Sequence, residues 1–380
     1  MVGGGQGAFI GAVHRAAASI DGEIELVCGA FSSSHENCLK TGKALNLDPN
    51  RCYTDFSEMF AKEASLPESE RMQFVAIVTP NHLHFPVAKA AIESGFHVMS
   101  DKPATFTLDE AIALKTVLDN HDVLYGLTHT YTGYPLVREA RQRIEAGELG
   151  EITKVVAEYS QGWLAEEPGP DNKQASWRLD PKRAGVSCCM GDIGVHAANL
   201  AEFISGLSIT KLCADLAPVV AGRQLDDDGN VLLRFNNGAK GVLIASQICV
   251  GEENNLNIRV YGTKASIEWH QMEPNTLIIK YNDKSSHLVR SGVGNLYPSA
   301  ANSLRTPAGH PEGYLEAFAN LYMDFAKQIR AFKDAEATAM LVSQAPGIDE
   351  AIRGMAFIEN CVAANRSEQK WVDFKLSNVL

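Results

Sequence analysis

Short apolar runs alternate with helical periodicity over the first third of the chain. Ile24 to Ala30, Phe74 to Thr79, His97 to Ser100 and Val123 to Thr128 read as buried strands. Between them, Phe85 to Ser94 repeats its apolar positions at helical spacing and stops at Gly95, which suits the position just past a helix end. Thr107-Leu108-Asp109-Glu110 is a capping box that opens a helix from Leu108 to Leu118. Strand–helix alternation of this kind predicts right-handed βαβ units and a doubly wound parallel sheet.

Beyond about residue 128 the rhythm changes. Pro135 starts a helix that Gly147 ends, and segments of period two follow, with Val155, Ala157 and Tyr159 on one face. Val231 to Phe235 and Lys240 to Ile248 flank Asn236-Asn237-Gly238, a strong hairpin turn. Further strands are expected at Leu256 to Tyr261, Ser266 to Trp269 and Leu277 to Tyr281. Asn282 to Gly294 reads as a polar, mobile connection, and helices from Tyr314 to Phe332 and Ile348 to Ala364 close the chain. The expected fold class is α/β: residues 1–128 form a doubly wound domain, and 129–380 an α+β domain built on a large, mainly antiparallel open sheet.

Composition narrows the function. A chain of 380 residues exceeds one ordinary core, in keeping with two domains. Its 45% hydrophobic and 21% charged residues are those of a soluble globular protein, and no run of about 18 apolar residues is present to span a bilayer. A net charge of −12 without a basic cluster argues against nucleic acid and against a membrane surface. The eight cysteines form no Cys-x-x-Cys pair, which favours reduced, buried thiols in a cytoplasmic protein. Cys188-Cys189 fits two small core residues beside a tight turn. Only Met1-Val2 precede the first glycines, where a strand normally has about five residues. The expectation is that Met1 is an internal strand residue, with further residues upstream.

Gly3-x-Gly5-x-x-Ala8 fits a dinucleotide fingerprint: the glycines admit a pyrophosphate, and the helix behind them offers its amides. The ribose-binding acid of that fingerprint has no counterpart. Asp21, Glu23 and Glu25 lie at the wrong end of the second strand, whose tip is Phe31-Ser32-Ser33-Ser34. No arginine is adjacent to clasp a 2′-phosphate, although Lys40 or Lys43 comes near, so NAD and NADP both stay open. Thr79-Pro80-Asn81-His82-Leu83-His84 follows a buried strand and can wrap the nicotinamide side; no third ligand near His82 and His84 favours a metal. Lys102, in Asp101-Lys102-Pro103 at a strand's carboxyl end, is placed to stabilise an oxyanion. Asp192 and His196 are four apart on a helical segment and supply a carboxylate and a base, although a capping aspartate with a packed histidine explains the pair as well.

With these residues placed, the chain resembles the Gfo/Idh/MocA family of oxidoreductases. The matching pieces are Gly3 to Gly11, Thr79 to His84, Asp101-Lys102-Pro103, Gly147-Glu148-Leu149-Gly150, Trp177-Arg178 and Gly191 to His196. The resemblance implies a Rossmann domain followed by an open-sheet domain often used for homodimer or homotetramer contacts. It also implies NAD or NADP as cofactor and redox chemistry at a CH–OH or C=O centre of a sugar, cyclitol or related polyol. Lys102, Asp192 and His196 match the catalytic lysine, acid and proton-transferring histidine. Gly3, Gly5, Gln6, Ala8, Phe9, Ile10, Ser32, Thr79, Pro80, Asn81, His84, Asp101, Lys102, Trp177 and Arg178 are the expected cofactor contacts. Lys102, Tyr131, Asp192, His196 and His310 are the expected substrate contacts. Phe9, Trp163, Tyr131 and Tyr134 are candidates for a ring-stacking wall, simple packing being the commoner fate of aromatics.

Three departures stand out: Asp101 for the family's usual glutamate, Asn199 where many members carry a second acid, and the missing ribose acid. Two other functions compete: an NAD-dependent glycosidase that works by transient oxidation and elimination, and a non-catalytic dinucleotide sensor. A sensor has no need of proton-transfer groups.

Overall fold

The computed structural model describes residues 1–169, 172–334 and 345–380. Its chain divides into two units, Met1–His129 with Phe318–Ile352, and Thr130–Ala317 with Arg353–Leu380.

The first unit is built on four parallel strands in the order β1-β2-β3-β4: Val2–Gly3, Phe74–Val78, His97–Ser100 and Tyr125–Leu127. Strand β2 is nearly wholly buried, as a parallel strand covered on both faces must be. Helices α1 (Phe9–Ser19), α2 (His35–Ala44), α3 (Phe56–Ala64), α4 (His84–Glu93) and α5 (Leu108–Leu118) surround the sheet in sequence. Helix α4 ends before Gly95, whose φ of +80° only glycine adopts freely. The box at α5 is slightly displaced from its expected form: Thr107 Oγ1 accepts from Glu110 N, but the glutamate reaches back to Phe106 N.

The strand expected at Ile24 to Ala30 does not form. Only single bridges survive, Val2 with Ala30 and Gly29 with Cys52. Beside β1 the backbone bonds are Met1 N to Cys28 O, Ala30 N to Met1 O and Gly3 N to Ala30 O, yet the segment is not a regular strand of the sheet. The assignment of everything after residue 128 to one domain is also corrected. Phe318–Ile352 belongs with the parallel sheet, because the helix from Tyr314–Lys333 turns Tyr322 and Phe325 onto it. The Phe325 ring stands edge-on to Phe74 and leaves no room for a β-carbon at Gly126.

The second unit carries a nine-stranded sheet. In chain order its strands are β5 (Ile152–Ser160), β6 (Ile209–Ala217), β7 (Asp228–Phe235), β8 (Lys240–Ser246), β9 (Asn255–Gly262), β10 (Ser266–His270), β11 (Thr276–Lys280), β12 (His287–Arg290) and β13 (Val372–Asp373). They lie in the order β12-β11-β10-β9-β5-β8-β7-β6-β13, and β5 with β8 is the parallel pair. Helix α6 (Pro135–Glu145) and a helix from Val195–Ser205 contribute Leu136, Val137, Leu200 and Ile204 to the core against Val155, Leu243 and Ile258. The Asn236-Asn237-Gly238 hairpin forms as expected between β7 and β8, with Gly238 N donating to Phe235 O. The segment from Asn282 to Gly294 is not merely a connection: its middle is β12, which pairs antiparallel with β11. Its one-sided pairing and exposed Leu288 mark it as an edge strand, which lacks the apolar alternation that betrays a buried one. Among the described residues, no helix is long and apolar enough to cross a membrane.

Candidate active site

In the first unit the glycine turn joins β1 to α1. Gly4 has φ +72°, and a β-carbon on Gly11 would lie 2.4 Å from its Cα, so strand turn and helix touch backbone to backbone. Ala8 provides no side-chain cap and the first turn of α1 carries no acid. Its leading amides are therefore suited to an anion. Gln6 N donates to Thr41 Oγ1, which fixes the loop's far side. At the tip beyond Ala30, Ser32 Oγ accepts from Ser34 N, and Ser34 caps α2. Lys40 is paired with Glu36 on the exposed face of that helix.

The carboxyl ends of β2, β3 and β4 bring together the Thr79, Asp101 and Thr128 loops, as parallel strands must. Asp101 Oδ1 accepts from Lys102 N at 3.0 Å and Thr128 Oγ1 at 2.8 Å, with His14 Nε2 3.8 Å away. Burial alone would raise this carboxyl, but His14, Lys102 and His84 outweigh it and hold the group well below the usual carboxylate range. His14 is fully buried, its Nδ1 2.6 Å from Tyr322 Oη and its ring edge-on to Phe318. His84 bridges two of the loops: Nδ1 lies 2.7 Å from Pro103 O and Nε2 2.8 Å from Thr79 O. Burial lowers its pKa, against the pull of Asp101 and both carbonyls. His129, equally buried and facing Lys102, is pushed down to about 3. Asp101, Lys102, Thr79 and His84 thus form one cluster whose shorter acid still anchors the lysine loop.

In the second unit Asp192 lies in a π-helical turn, Met190–Gly194, that runs directly into the helix bearing His196. Such turns concentrate at functional sites because they re-aim side chains. Buried Asp226 caps this turn, accepting from Ser187 Oγ, Cys188 N and Met190 N at 2.9 to 3.1 Å. Burial raises the Asp226 carboxyl, with those donors acting the other way. Asp192 Oδ2 accepts from Gln247 Nε2 at 2.9 Å and meets Arg178 Nε at 3.1 Å. The guanidinium of Arg178 lies against the rings of Trp177 and Trp163, 4.3 and 5.9 Å from their centroids.

The His196 ring stands edge-on to Tyr131 at 4.9 Å and tilted against Tyr159 at 6.3 Å. The two tyrosine hydroxyls bond each other, Tyr159 Oη donates to Asn254 Oδ1, and Asn254 Nδ2 donates to Tyr131 Oη, closing a three-membered ring. Gln161 Nε2 joins at Asn254 Oδ1, and Trp163 Nε1 donates to Gln161 Oε1. Burial raises both tyrosines well above their ordinary range, so these hydroxyls stay protonated and serve as fixed donors.

Gln161, Gln247, Asn254, Tyr159 and Asp226 were not foreseen from the sequence. Strand register explains how they converge. β5 and β8 run parallel and end together at Ser160 and Ser246, while β9 begins beside them at Asn255. Gln161, Gln247 and Asn254 each flank one of those ends. A polar residue just past a strand's end was the available signal, and Gln161 after Tyr159 carried it. Tyr131 and Tyr134 are buried, their rings packed on each other and, for Tyr134, on Trp269, so neither ring has a free face for stacking. His310 is exposed in its own turn, with Nδ1 3.2 Å from Pro307 O, and is not drawn into the ring. Among the described residues no cluster of three or more histidine, cysteine, aspartate or glutamate side chains is placed to hold a metal. All eight cysteines are free thiols, and Cys188 and Cys189 pack in the interior.

Residues 1–129 match a family model described as an oxidoreductase family with an NAD-binding Rossmann fold, and residues 137–268 match the GFO/IDH/MocA C-terminal domain. The chain belongs to the Gfo/Idh/MocA family. It is 35% identical over 381 residues to the uncharacterized oxidoreductase YfiI of Bacillus subtilis, covering 99% of this chain and 96% of the relative. It is 27% identical to the levoglucosan dehydrogenase of Pseudarthrobacter phenanthrenivorans over 81% of this chain and 82% of that one. An inositol dehydrogenase homolog from Azotobacter vinelandii, solved with NAD+, superposes with a TM-score of 0.95 at 35% identity, covering 98% of this chain and 96% of that one. This Gfo/Idh/MocA member is therefore an NAD(P)-dependent oxidoreductase of the class that works on CH–OH groups, with a nicotinamide dinucleotide as its cofactor. The uncapped start of α1 and the glycine-rich turn before it fit the pyrophosphate of that cofactor.

Proposed function

We propose that the protein is a dehydrogenase of sugars or cyclitols in which Lys102, Asp192 and His196 carry the chemistry. The observation that carries this reading is the second unit's site: a histidine and a carboxylate at the edge of a closed net of amides and hydroxyls. Such a lining matches a neutral polyhydroxylated substrate, whose hydroxyls need both donors and acceptors. Relatives named for inositol, levoglucosan and xylose point the same way. The bound dinucleotide supplies the two-electron redox chemistry. Its holders are the Gly3–Ala8 turn, Phe9, Ile10, Ser32, the Thr79–His84 loop and Asp101, with Trp177 and Arg178 on the nicotinamide side.

His196 takes the proton of the reacting hydroxyl in oxidation and returns it in reduction. Tyr131 and Tyr159 fix its ring. Asp192, held by Gln247 and Arg178, orients the substrate hydroxyl or the imidazole. The Lys102 ammonium stabilises negative charge on the substrate oxygen as its proton leaves. Assaying cyclitols and sugars with NAD+ and NADP+ at the reduced-nicotinamide absorbance band tests the reading. Substrate-dependent reduction supports it, whereas aryl glycoside cleavage without net reduction would replace it with the eliminating glycosidase.

We further infer assembly through the sheet of the second unit. The face turned from its core leaves Leu232 and Leu288 exposed, and a homodimer or homotetramer would cover them. Light scattering coupled to size exclusion reads this directly, and a monomer at micromolar concentration would refute it. Eight free thiols support a reducing, cytoplasmic setting.

A further inference from the structure

The mechanism above leaves Trp163 without a task, yet its indole is both exposed and held in place. It is 39% exposed. Its N–H is committed to Gln161, whose amide is committed to Asn254, which in turn closes the tyrosine ring beside His196. The Arg178 guanidinium that meets Asp192 also lies over the indole. The side chain is thus fixed at its polar edge and steadied by a cation. What it still offers is apolar ring surface, between the tethers of His196 and Asp192.

A pyranose or cyclitol presents a patch of C–H bonds on one face and hydroxyls around its rim. An open-chain polyol has no such preformed face. We infer that Trp163 is a specificity-determining residue that stacks on the C–H face of a six-membered ring substrate, with Gln161 as the positioning residue that holds the indole in place. This rests on the dehydrogenase reading and deepens it to ring-shaped substrates. Preorganisation is what makes the stack effective, since an indole already tethered loses little freedom on binding.

The test compares wild type, Trp163→Phe, Trp163→Ala and Gln161→Leu. Each is assayed with myo-inositol and D-glucose against an open-chain hexitol, and binding is followed by calorimetry alongside turnover. Trp163→Ala should raise KM for the ring compounds by about tenfold to a hundredfold, the size of one lost ring stack, with kcat nearly unchanged. Trp163→Phe should recover most of that loss, and Gln161→Leu should fall between the two. For the Trp163 variants the open-chain hexitol, the dinucleotide affinity and the melting temperature should hardly respond, which a merely structural role would not allow. Ring compounds whose binding is indifferent to Trp163→Ala, or a loss shared equally by the hexitol, would overturn the inference while leaving the dehydrogenase reading standing. Trp163-dependent binding of ring compounds without any nicotinamide reduction would do the reverse. Failure of all ring compounds to bind the wild type would overturn it as well.

Discussion

The strand ends of the first unit and the polar net of the second hold their working residues by opposite means. Around Asp101 the organising force is charge: a carboxylate surrounded by Lys102 and three histidines, His14, His84 and His129, in a buried setting. Around His196 it is neutral hydrogen bonding, with two tyrosines, an asparagine and a glutamine closed on one another and a single ion pair at the margin. A charged cluster in a low-dielectric site responds strongly to protonation, while a satisfied neutral net responds to the loss of a particular atom. The first kind of site suits stabilising developing charge; the second suits reading the pattern of hydroxyls on a substrate.

The largest effect separating the two regions should come from Lys102→Ala, which removes the ammonium from the charged cluster. Turnover is expected to fall by about 10²- to 10⁴-fold with dinucleotide affinity largely intact, measured by steady-state kinetics and calorimetry. Retained turnover would assign the oxyanion to other donors. In the second unit Asp226→Ala should cost about 3 kcal/mol in denaturant unfolding, because Ser187 Oγ and the amides of Cys188 and Met190 lose their acceptor inside the protein. A loss below 1 kcal/mol (about a single exposed hydrogen bond) would mean that the π-turn holds itself.

Acid should divide the regions next. The folded-state pKa of His129 is about 3, so its unfolded form, titrating near 6.5, takes up a proton that the folded form refuses. The stability it contributes is complete above about pH 6.5 and is lost as pH falls toward 3, at up to about 1.4 kcal/mol per pH unit. His97, pushed down to about 4 by burial, acts in the same direction. Asp226 acts oppositely, since its raised carboxyl recovers stability as it protonates. Hydrogen exchange at decreasing pH should therefore show β2 to β4 losing protection before β5, β8 and β9, and the reverse order would break the contrast. The smallest effect is expected from Tyr159→Phe, about 1 kcal/mol in stability, measured by denaturant unfolding.

The same contrast explains what could be read from the sequence. A parallel sheet gathers the loops after successive strands at one edge, so its chemistry sits in short contiguous motifs: Gly3 to Ala8, Thr79 to His84 and Asp101-Lys102-Pro103 were all visible. Asp192 and His196 were visible because they share one helical segment. The polar net was not, because Tyr131, Tyr159, Gln161, Gln247 and Asn254 are joined only by the common ends of β5, β8 and β9. The return of Phe318–Ile352 to the first unit was hidden for a similar reason: the amphipathic pattern of a helix does not say which sheet it covers.

One variant addresses the central claim most directly: His196→Gln, assayed for oxidation of whichever ring polyol the wild type uses. Turnover should fall at least a hundredfold while the dinucleotide and substrate still bind, as removal of the proton acceptor demands. An enzyme that oxidises the same substrate at an undiminished rate would contradict the account.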